Sequence, residues 1–453
     1  MHYPSRRAGV LAGLLLLAGA PSALAQVVVD QANGTDFAGC GPVGTPCASL
    51  GAGIAAAAAG DTVTVEDGTY AEYDLLIDFD LTIEAAPGAI PIIDAGGADR
   101  HFVIEGTQAN PLSSVALRGL TLQNGDPSNG QGGAINASFV DDLTITDVNF
   151  RDNFATDGGA ISASGANVTI RGSEFHGNQA ARFGGAIYYA AQDNGRLLTI
   201  IGSLLEGNHA NNDGGAVFKL SGDLQSIENG FLNNSAGGGD VAGDGGAIKS
   251  EADTTLVLRS TFANNRVDAF GNGGAIDVSG GMVNDIEIVN STFFENESAS
   301  GEGAALQIGG TSTAVIRFST FKDNSAAGAF GDPATITNHG SAEIRASIIA
   351  GSAAFLGSDC DGTGTFTGTF NRIDGACFGI GGELTPVTGL AATPARNGGP
   401  TKTLMLAATS NAVDVILYAP FSSPCGTPFD QRRSPRPAPG GAPYCDIGSV
   451  EAF

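Results

Sequence analysis

The chain lacks tryptophan altogether, and only four of its 453 residues are lysines. Basic residues are scarce as a class, because 21 lysines and arginines stand against 47 acidic residues and leave a formal net charge of −26. A chain with this surplus of negative charge has no electrostatic attraction to phosphate backbones or anionic lipids, so we exclude nucleic acid as a partner. The absence of tryptophan also removes the broadest aromatic surface on which a sugar ring could stack.

Long apolar runs are also absent, except near the start of the chain. Two arginines precede the apolar run 12–20, and small residues at positions 23 and 25 precede Gln26. This pattern predicts a signal peptide over residues 1–25, and therefore export to the extracellular space or the cell surface, with the periplasm as the alternative. No later stretch approaches the roughly 18 uninterrupted apolar residues of a membrane span, so none is predicted in the mature chain.

The six cysteines fall into sequence-local pairs. In an exported protein such cysteines are expected to form disulfides, and local pairing is the simplest of the connectivities that six cysteines allow. A zinc site would need tighter cysteine spacing and histidine partners, and neither is present. The predicted disulfides are Cys40–Cys47, Cys360–Cys377 and Cys425–Cys445.

Glycine is abundant, with 68 residues, and 42% of the chain is apolar. This composition excludes a coiled coil, a helical bundle and a disordered acidic chain. A Gly-Gly-Ala-Ile unit recurs at intervals of 26 to 31 residues and decays toward its end. Its last residues are Ile135, Ile161, Ile187, Val217, Ile248, Ile276, Leu306 and Ile336.

A second unit, typified by Ser-Thr-Phe-x-x-Asn, alternates with the first. Its apolar positions are Phe150, Phe175, Leu205, Phe231, Phe262, Phe293 and Phe321. An asparagine follows each of them three residues later: Asn153, Asn178, Asn208, Asn234, Asn265, Asn296 and Asn324. Short alternating strands precede these units, and helix signals are absent between them.

These repeats predict an all-β fold, a right-handed parallel β-helix with coils of about 25–31 residues and three short strands per coil. Identical positions should stack into ladders about 4.8 Å apart, with the Ile and Phe series inside. The asparagines should form a structural turn ladder, because their amides can bond to the coils above and below.

The chain divides into four predicted regions. The signal peptide occupies 1–25, and an N-terminal cap with the first coils occupies 26–124. The cap should include a short amphipathic helix over Leu50–Ala59 that covers the open end of the core. The repeat β-helix follows over 125–350, and a disulfide-bearing C-terminal module occupies 351–453.

Two sets of motifs resemble known families. The sequence Gly60-Asp61-Thr62-Val63-Thr64-Val65, with Asp67-Gly68-Thr69-Tyr70 and the Gly-Gly-Ala-Ile coils, resembles the pectin-lyase-like superfamily of exported β-helix proteins.

The C-terminal motifs resemble the choice-of-anchor Q domain: Asn397 to Thr403, Ala412-Val413-Asp414, Asp430-Gln431-Arg432, Arg436-Pro437 and Cys445 to Glu451. Arg433 stands where that family usually has glycine. The family often continues into an anchoring tail, and the end at Phe453 suggests release or non-covalent surface association. The resemblance implies fold and location rather than a reaction.

Strand parity predicts one surface feature. If the Ile ladder points inward, the next residue in each coil points outward. That outward row is Asn136, Ser162, Tyr188, Phe218, Lys249, Asp277, Gln307 and Thr337. Tyr188, Phe218, Lys249 and Asp277 are the candidate binding residues, since aromatic faces stack on sugars and charged neighbours orient them. The alternative is that loops cover the row.

Metal and catalytic signals are weaker. Asp240 and Asp244 lie in the longest turn insertion, where the alternatives are a Ca²⁺ site and a solvated loop. The adjacent pair Asp141 and Asp142 and the turn residue His339 are the other residues considered for chemistry.

The sequence therefore favours a non-catalytic, secreted or cell-surface protein that acts as a binding, adhesion or surface-interaction scaffold. Its partner would be an extracellular polysaccharide or a cell-surface component, and we expect a monomer. The alternative is a polysaccharide-active enzyme, a uronan or pectate lyase rather than a glycoside hydrolase.

Overall fold

A computed structural model describes most of the chain from residue 26 onward, and the described chain forms a parallel β-solenoid. The predicted all-β parallel β-helix is therefore confirmed. The described residues are 26–192, 195–238, 241–268, 270–327, 334–351, 358–377, 379–380, 385–417, 425, 427–437 and 444–452.

Three parallel sheets, here named A, B and C, run along the solenoid. Apart from the first strand of sheet A, which precedes the helix, each coil contributes one strand to each sheet. Sheet A has 13 strands: Gln26–Val29, Thr62–Val65, Leu81–Ala85, Leu112–Arg118, Val140–Thr146, Asn167–Arg171, Leu197–Ile201, Asp223–Ile227, Asp253–Leu258, Asn284–Val289, Thr313–Arg317, Ser341–Arg345 and Thr365–Thr369. Sheet B has 12: Thr69–Tyr70, Ile92–Asp94, Thr121–Gln123, Asn149–Arg151, Glu174–His176, Leu204–Glu206, Gly230–Leu232, Thr261–Ala263, Thr292–Phe294, Thr320–Lys322, Ile348–Ala350 and Arg372–Ile373. Sheet C has 12: Leu75–Ile77, Phe102–Glu105, Ile135–Ser138, Ile161–Ser164, Ile187–Ala190, Val217–Ser221, Ile248–Ser250, Ile276–Val278, Leu306–Ile308, Ile336–Asn338, Ser358–Asp361 and Ala376–Cys377.

The middle coils carry a fourth short strand that the sequence pattern did not predict. It follows the asparagine turn after sheet B, where the extended backbone pairs with the same segment of the next coil. This sheet D has seven strands: Phe154–Asp157, Gln179–Phe183, His209–Ala210, Ser235–Ala236, Arg266–Val267, Glu297–Ser298 and Ser325–Ala326. A separate antiparallel pair joins Ile416–Leu417 to Tyr444–Cys445.

The interior consists of side-chain ladders in the predicted register. Ile135 pairs with Ile161, Ile161 with Ile187, and the series continues to Ile336. In sheet B, the Phe262 ring stacks on the rings of Phe231 and Phe293, with centroid separations of 4.6 and 4.8 Å. Stacking at the coil spacing adds aromatic attraction to the burial of apolar area.

The asparagine side chains form a continuous buried ladder from Asn153 to Asn324. In a typical step, Asn234 Nδ2 donates to Asn265 Oδ1 at 2.9 Å and to the Leu205 carbonyl at 2.9 Å. The Asn234 backbone N–H donates to the same Asn265 oxygen at 3.1 Å. Each amide thus joins its own coil to both neighbouring coils.

A short helix covers the N-terminal end of the core. It spans Leu50–Ala56, three residues shorter than predicted, because Ala57 is already extended at ψ 154°. Ser49 caps the helix by accepting the Ala52 N–H at 3.1 Å, and the Glu72 carboxylate accepts two further N–H groups of the first turn. Leu50 and other apolar residues of the helix are buried against the first strands.

The described C-terminal residues pack against the sheet B side of the solenoid. Ile416 and Ile447 share an apolar cluster with Phe318 and Ile348 of the coils. The disulfides are Cys40–Cys47, Cys360–Cys377 and Cys425–Cys445, as predicted. Within the described part of the chain, no helix is long and apolar enough to cross a membrane.

One buried histidine, His101, makes the stability of the early coils depend on pH. His101 is fully buried, and its Nε2 lies 3.0 Å from the carbonyl oxygens of Ile93 and Gln123. Because both partners are carbonyl oxygens, Nε2 carries the proton. Burial lowers the pKa of His101 from 6.5 to about 4, although the two carbonyl contacts oppose this shift.

We predict that Asn265→Ala lowers the free energy of unfolding by roughly 2–4 kcal/mol, since it leaves buried donors of Asn234 unpaired. Urea denaturation measures the change. The matched control is Asn212→Ala, whose partly buried side chain forms no hydrogen bond with a described residue, so it should change stability by less than about 0.5 kcal/mol. Equal effects of the two substitutions would contradict the ladder's energetic role.

We predict that His101→Gln reduces the loss of stability on acidification. The folded pKa lies below the unfolded value, so as pH falls from 6.5 to 4 the unfolded chain binds the proton first. This difference removes up to about 3 kcal/mol of wild-type stability in that range. Denaturation of both proteins across this range tests it, and parallel pH profiles would show that His101 does not contribute.

Candidate functional site

The outward row of sheet C lies where strand parity placed it, but most of it is not exposed. Phe218, Lys249 and Asp277 are 4%, 3% and 0% exposed, so the prediction of an accessible stripe through them is wrong. Side chains that directly precede Gly-Gly pairs contribute to this cover, since Phe183 stacks on Phe218 and Asp244 contacts Lys249. Only Tyr188 among the four candidate binding residues stays half-buried.

Lys249 and Asp277 instead form the centre of a buried ionic cluster. Lys249 Nζ donates to Asp277 Oδ1 at 2.8 Å, to Asp244 Oδ2 at 3.3 Å and to the Ser279 carbonyl at 2.7 Å. Burial opposes the ammonium charge, but Asp277 and Asp244 outweigh it and raise the pKa of Lys249. This cluster joins neighbouring coils and offers no free charge to a ligand.

Of the two predicted calcium residues, only Asp244 lies in the described part of the chain. Asp244 Oδ1 accepts the Asn272 N–H at 2.8 Å and its other oxygen contacts the Lys249 ammonium, so a cation would have to displace that ammonium. Asp240 lies outside the described residues. Among the described residues, no three His, Cys, Asp or Glu side chains are grouped to hold a metal ion.

An aromatic corner lies further up the same row, and we define it as Arg182, Phe183, Tyr188 and Phe218. The buried Phe218 ring stacks on both partly exposed rings, at centroid distances of 4.6 Å to Phe183 and 5.7 Å to Tyr188. The Arg182 guanidinium lies 5.6 Å from the Phe183 centroid. The corner therefore presents ring faces and a cation at one place on the surface.

Asp157 holds the cation of the aromatic corner in position. Arg182 Nε donates to Asp157 Oδ1 at 3.1 Å, and Arg182 Nη2 donates to the other carboxylate oxygen at 2.5 Å. The Asp157 side chain is 2% exposed, whereas that of Arg182 is 53% exposed. Hydrogen bonding to Asp157 raises the pKa of Arg182, and burial raises the pKa of the Tyr188 hydroxyl, which therefore stays a donor at neutral pH.

Sequence reasoning missed Asp157, Arg182 and Phe183. Asp157 and Phe183 occupy equivalent positions, each directly before a Gly-Gly pair. The same position holds Asp213, Asp244, Asn272 and Glu302 in later coils. That recurrence was visible in the sequence and could have indicated which residues fold over the outward row.

The other residues considered for chemistry lie apart from the aromatic corner. Asp141 pairs with Arg196 at 3.0 Å, while Asp142 lies in the same strand of sheet A. His339 contacts Glu302 through Nε2 at 2.8 Å and Thr363 Oγ1 through Nδ1 at 3.0 Å. The structure therefore does not join the acidic pair to the histidine.

Comparisons with known proteins add local and fold-level similarities. The model of the Chlamydia polymorphic membrane protein repeat matches residues 172–190, and no curated protein matches the chain. Among solved structures, the chain is similar to the Streptococcus pneumoniae surface protein and adhesin PfbA, at 13% identity over 69% of this chain and 89% of that chain, with a TM-score of 0.41. It is also similar to a rhamnogalacturonan lyase, at 11% identity over 72% and 82%, with a TM-score of 0.35. The recurring order of sheets A, B and C is that of a parallel β-helix.

We predict that Lys249→Met lowers the free energy of unfolding by about 3–5 kcal/mol, because it leaves buried carboxylates without their cation. Arg317→Met is the control, since it breaks an exposed pair with Glu287 and should cost less than about 1 kcal/mol. Adding Asp277→Leu to Lys249→Met should recover part of the loss. If denaturation experiments showed that Lys249→Met lowers the free energy of unfolding no more than Arg317→Met does, the buried cluster would be contradicted.

Proposed function

We propose that the protein is an exported, non-catalytic binding protein that holds an extracellular carbohydrate or a cell-surface component at its aromatic corner. The observation that carries this proposal is the pair of accessible rings, Phe183 and Tyr188, on either side of the buried Phe218 ring. Ring faces attract the C–H surfaces of a sugar, and the fixed guanidinium of Arg182 supplies directional donors. The solenoid keeps these groups in place before a ligand arrives.

The proposed location rests on different features. The three disulfides favour an oxidising compartment, as do the signal-peptide pattern of residues 1–25 and the resemblance of the C-terminal motifs to the choice-of-anchor Q domain. We propose the cell surface or extracellular space, with the periplasm as the alternative. Of the four residues first considered for the stripe, Tyr188 would contact the ligand directly, and Phe218 would support it from below.

Polysaccharide cleavage is the second candidate, and the contact between His339 and Glu302 favours it. Nε2 lies 2.8 Å from the carboxylate, and the two side chains are 27% and 19% exposed, so a substrate at the surface can reach a paired acid–base couple. Incubation with acidic and neutral polysaccharides, with Ca²⁺ or with chelator, tests this candidate. A lyase would release unsaturated uronates in a reaction that His339→Ala abolishes.

We predict that Phe183→Ala with Tyr188→Ala abolishes retention on immobilised polysaccharide or on cells. The cause would be loss of the two accessible ring faces. Tyr73→Ala is the matched control, because Tyr73 is 51% exposed at the N-terminal end and should not affect retention. Thermal unfolding of each variant verifies that it is folded. Undiminished retention by the folded double variant would refute the aromatic corner as the binding site.

A further inference from the structure

A second concave site lies on a different face, between sheet B and the C-terminal module. It is a groove of about 480 Å³, within the size range of ligand pockets. Its floor follows from strand parity, since the residues on either side of the inward Phe ladder point outward. One floor row is Glu174, Leu204, Gly230 and Thr261, aligned on consecutive coils.

A second floor row runs beside the first and contains Glu206 and Leu232. Consecutive coils lie about 4.8 Å apart, so the floor extends for roughly 14 Å along the solenoid. Carboxylates occupy one end of this floor, and leucines occupy its middle. Gly230 adds depth because it projects no side chain into the groove.

The facing wall is a turn of the C-terminal module. Backbone hydrogen bonds join Ala395 and Thr403 in both directions, at 2.9 and 3.0 Å. Arg396 and Lys402 each lie one residue inside that pair, so their side chains start from neighbouring points. Two hydrogen bonds fix the turn on the solenoid: Thr261 Oγ1 donates to the Lys402 carbonyl at 2.6 Å, and Thr401 Oγ1 donates to the Arg259 carbonyl at 3.0 Å.

The cations of this wall are notable because most basic groups of this acidic chain already have carboxylate partners. Arg396 and Lys402 are exposed, and neither forms an ion pair with a described residue. By contrast, Glu228 in the same groove is bound by Arg259 and Arg433. Burial opposes ionisation of Glu228, but these arginines lower its pKa, so its charge is already neutralised.

We propose that this groove binds an oligosaccharide that carries carboxylate groups. The ligand carboxylates would pair with Arg396 and Lys402, as charge-assisted hydrogen bonds favour. Sugar hydroxyls would donate to Glu174 and Glu206, and the apolar face of a ring would lie on Leu204. This site does not depend on the aromatic corner, which is built from sheets C and D.

The experiment measures binding of short uronic-acid oligosaccharides to the intact protein by calorimetry, with neutral gluco-oligosaccharides of equal length for comparison. Arg396→Gln with Lys402→Gln should weaken uronate binding by roughly tenfold or more, and added salt should weaken wild-type binding. Arg317→Gln with Arg345→Gln is the matched control, because it removes two exposed cations from sheet A and should leave binding unchanged. Thermal unfolding confirms that each variant is folded.

A second variant tests the groove without changing charge. Gly230→Tyr adds a ring at the floor and should block binding. The new Cβ would lie 3.2 Å from the flexible end of Leu204 and 4.0 Å from Leu232 Cγ, so the floor can accept it. The Phe183→Ala with Tyr188→Ala variant should keep its uronate affinity, which separates this proposal from the proposed function. The inference is overturned if uronates do not bind, if neutral oligosaccharides bind equally well, or if the Arg396 and Lys402 substitutions leave affinity unchanged.

Discussion

Hydrogen bonding between consecutive coils is the constraint on which the rest of the structure depends. An Asn234 amide can reach both Leu205 and Asn265 only if the coils on either side keep the same path through the turn. The same spacing places the ring centroids of Phe231 and Phe262 4.6 Å apart. Length differences between repeats therefore occur in segments such as the one before each Gly-Gly pair. The residues that pack over the outward row of sheet C differ from coil to coil for the same reason.

The ladders could be predicted from the sequence because each depends on one local rule repeated at the coil spacing. Inward Ile187 and outward Tyr188 follow from strand parity alone. Exposure could not be predicted in this way, because it depends on what the neighbouring turn places above the strand. Phe183 covers Phe218 and Asp244 reaches Lys249, although both turns precede the same Gly-Gly motif.

The C-terminal motifs could be recognised in the sequence, but their contacts could not be assigned to particular coils. Gln431 accepts a hydrogen bond from Thr292 Oγ1 and donates one to the Ser260 carbonyl, contacts that join residues about 140 to 170 positions apart. Arg433 adopts φ 68°, in the left-handed region that favours glycine, and pairs with Glu228. The family resemblance pointed to glycine at this position, whereas the partner Glu228, in the turn between sheets A and B, was apparent only in three dimensions.

The threonines beneath the C-terminal module also limit how such a chain can change length during evolution. The module contacts Thr261, Thr292 and Thr320, one on each of three consecutive coils. Duplicating a whole coil before Thr261 would lengthen the solenoid and leave these three contacts in step. Duplicating a coil between Thr261 and Thr320 would move the outer contacts apart by one coil spacing, and the module could no longer reach all three. Growth by repeat duplication should therefore be accepted in the N-terminal half and rejected under the module.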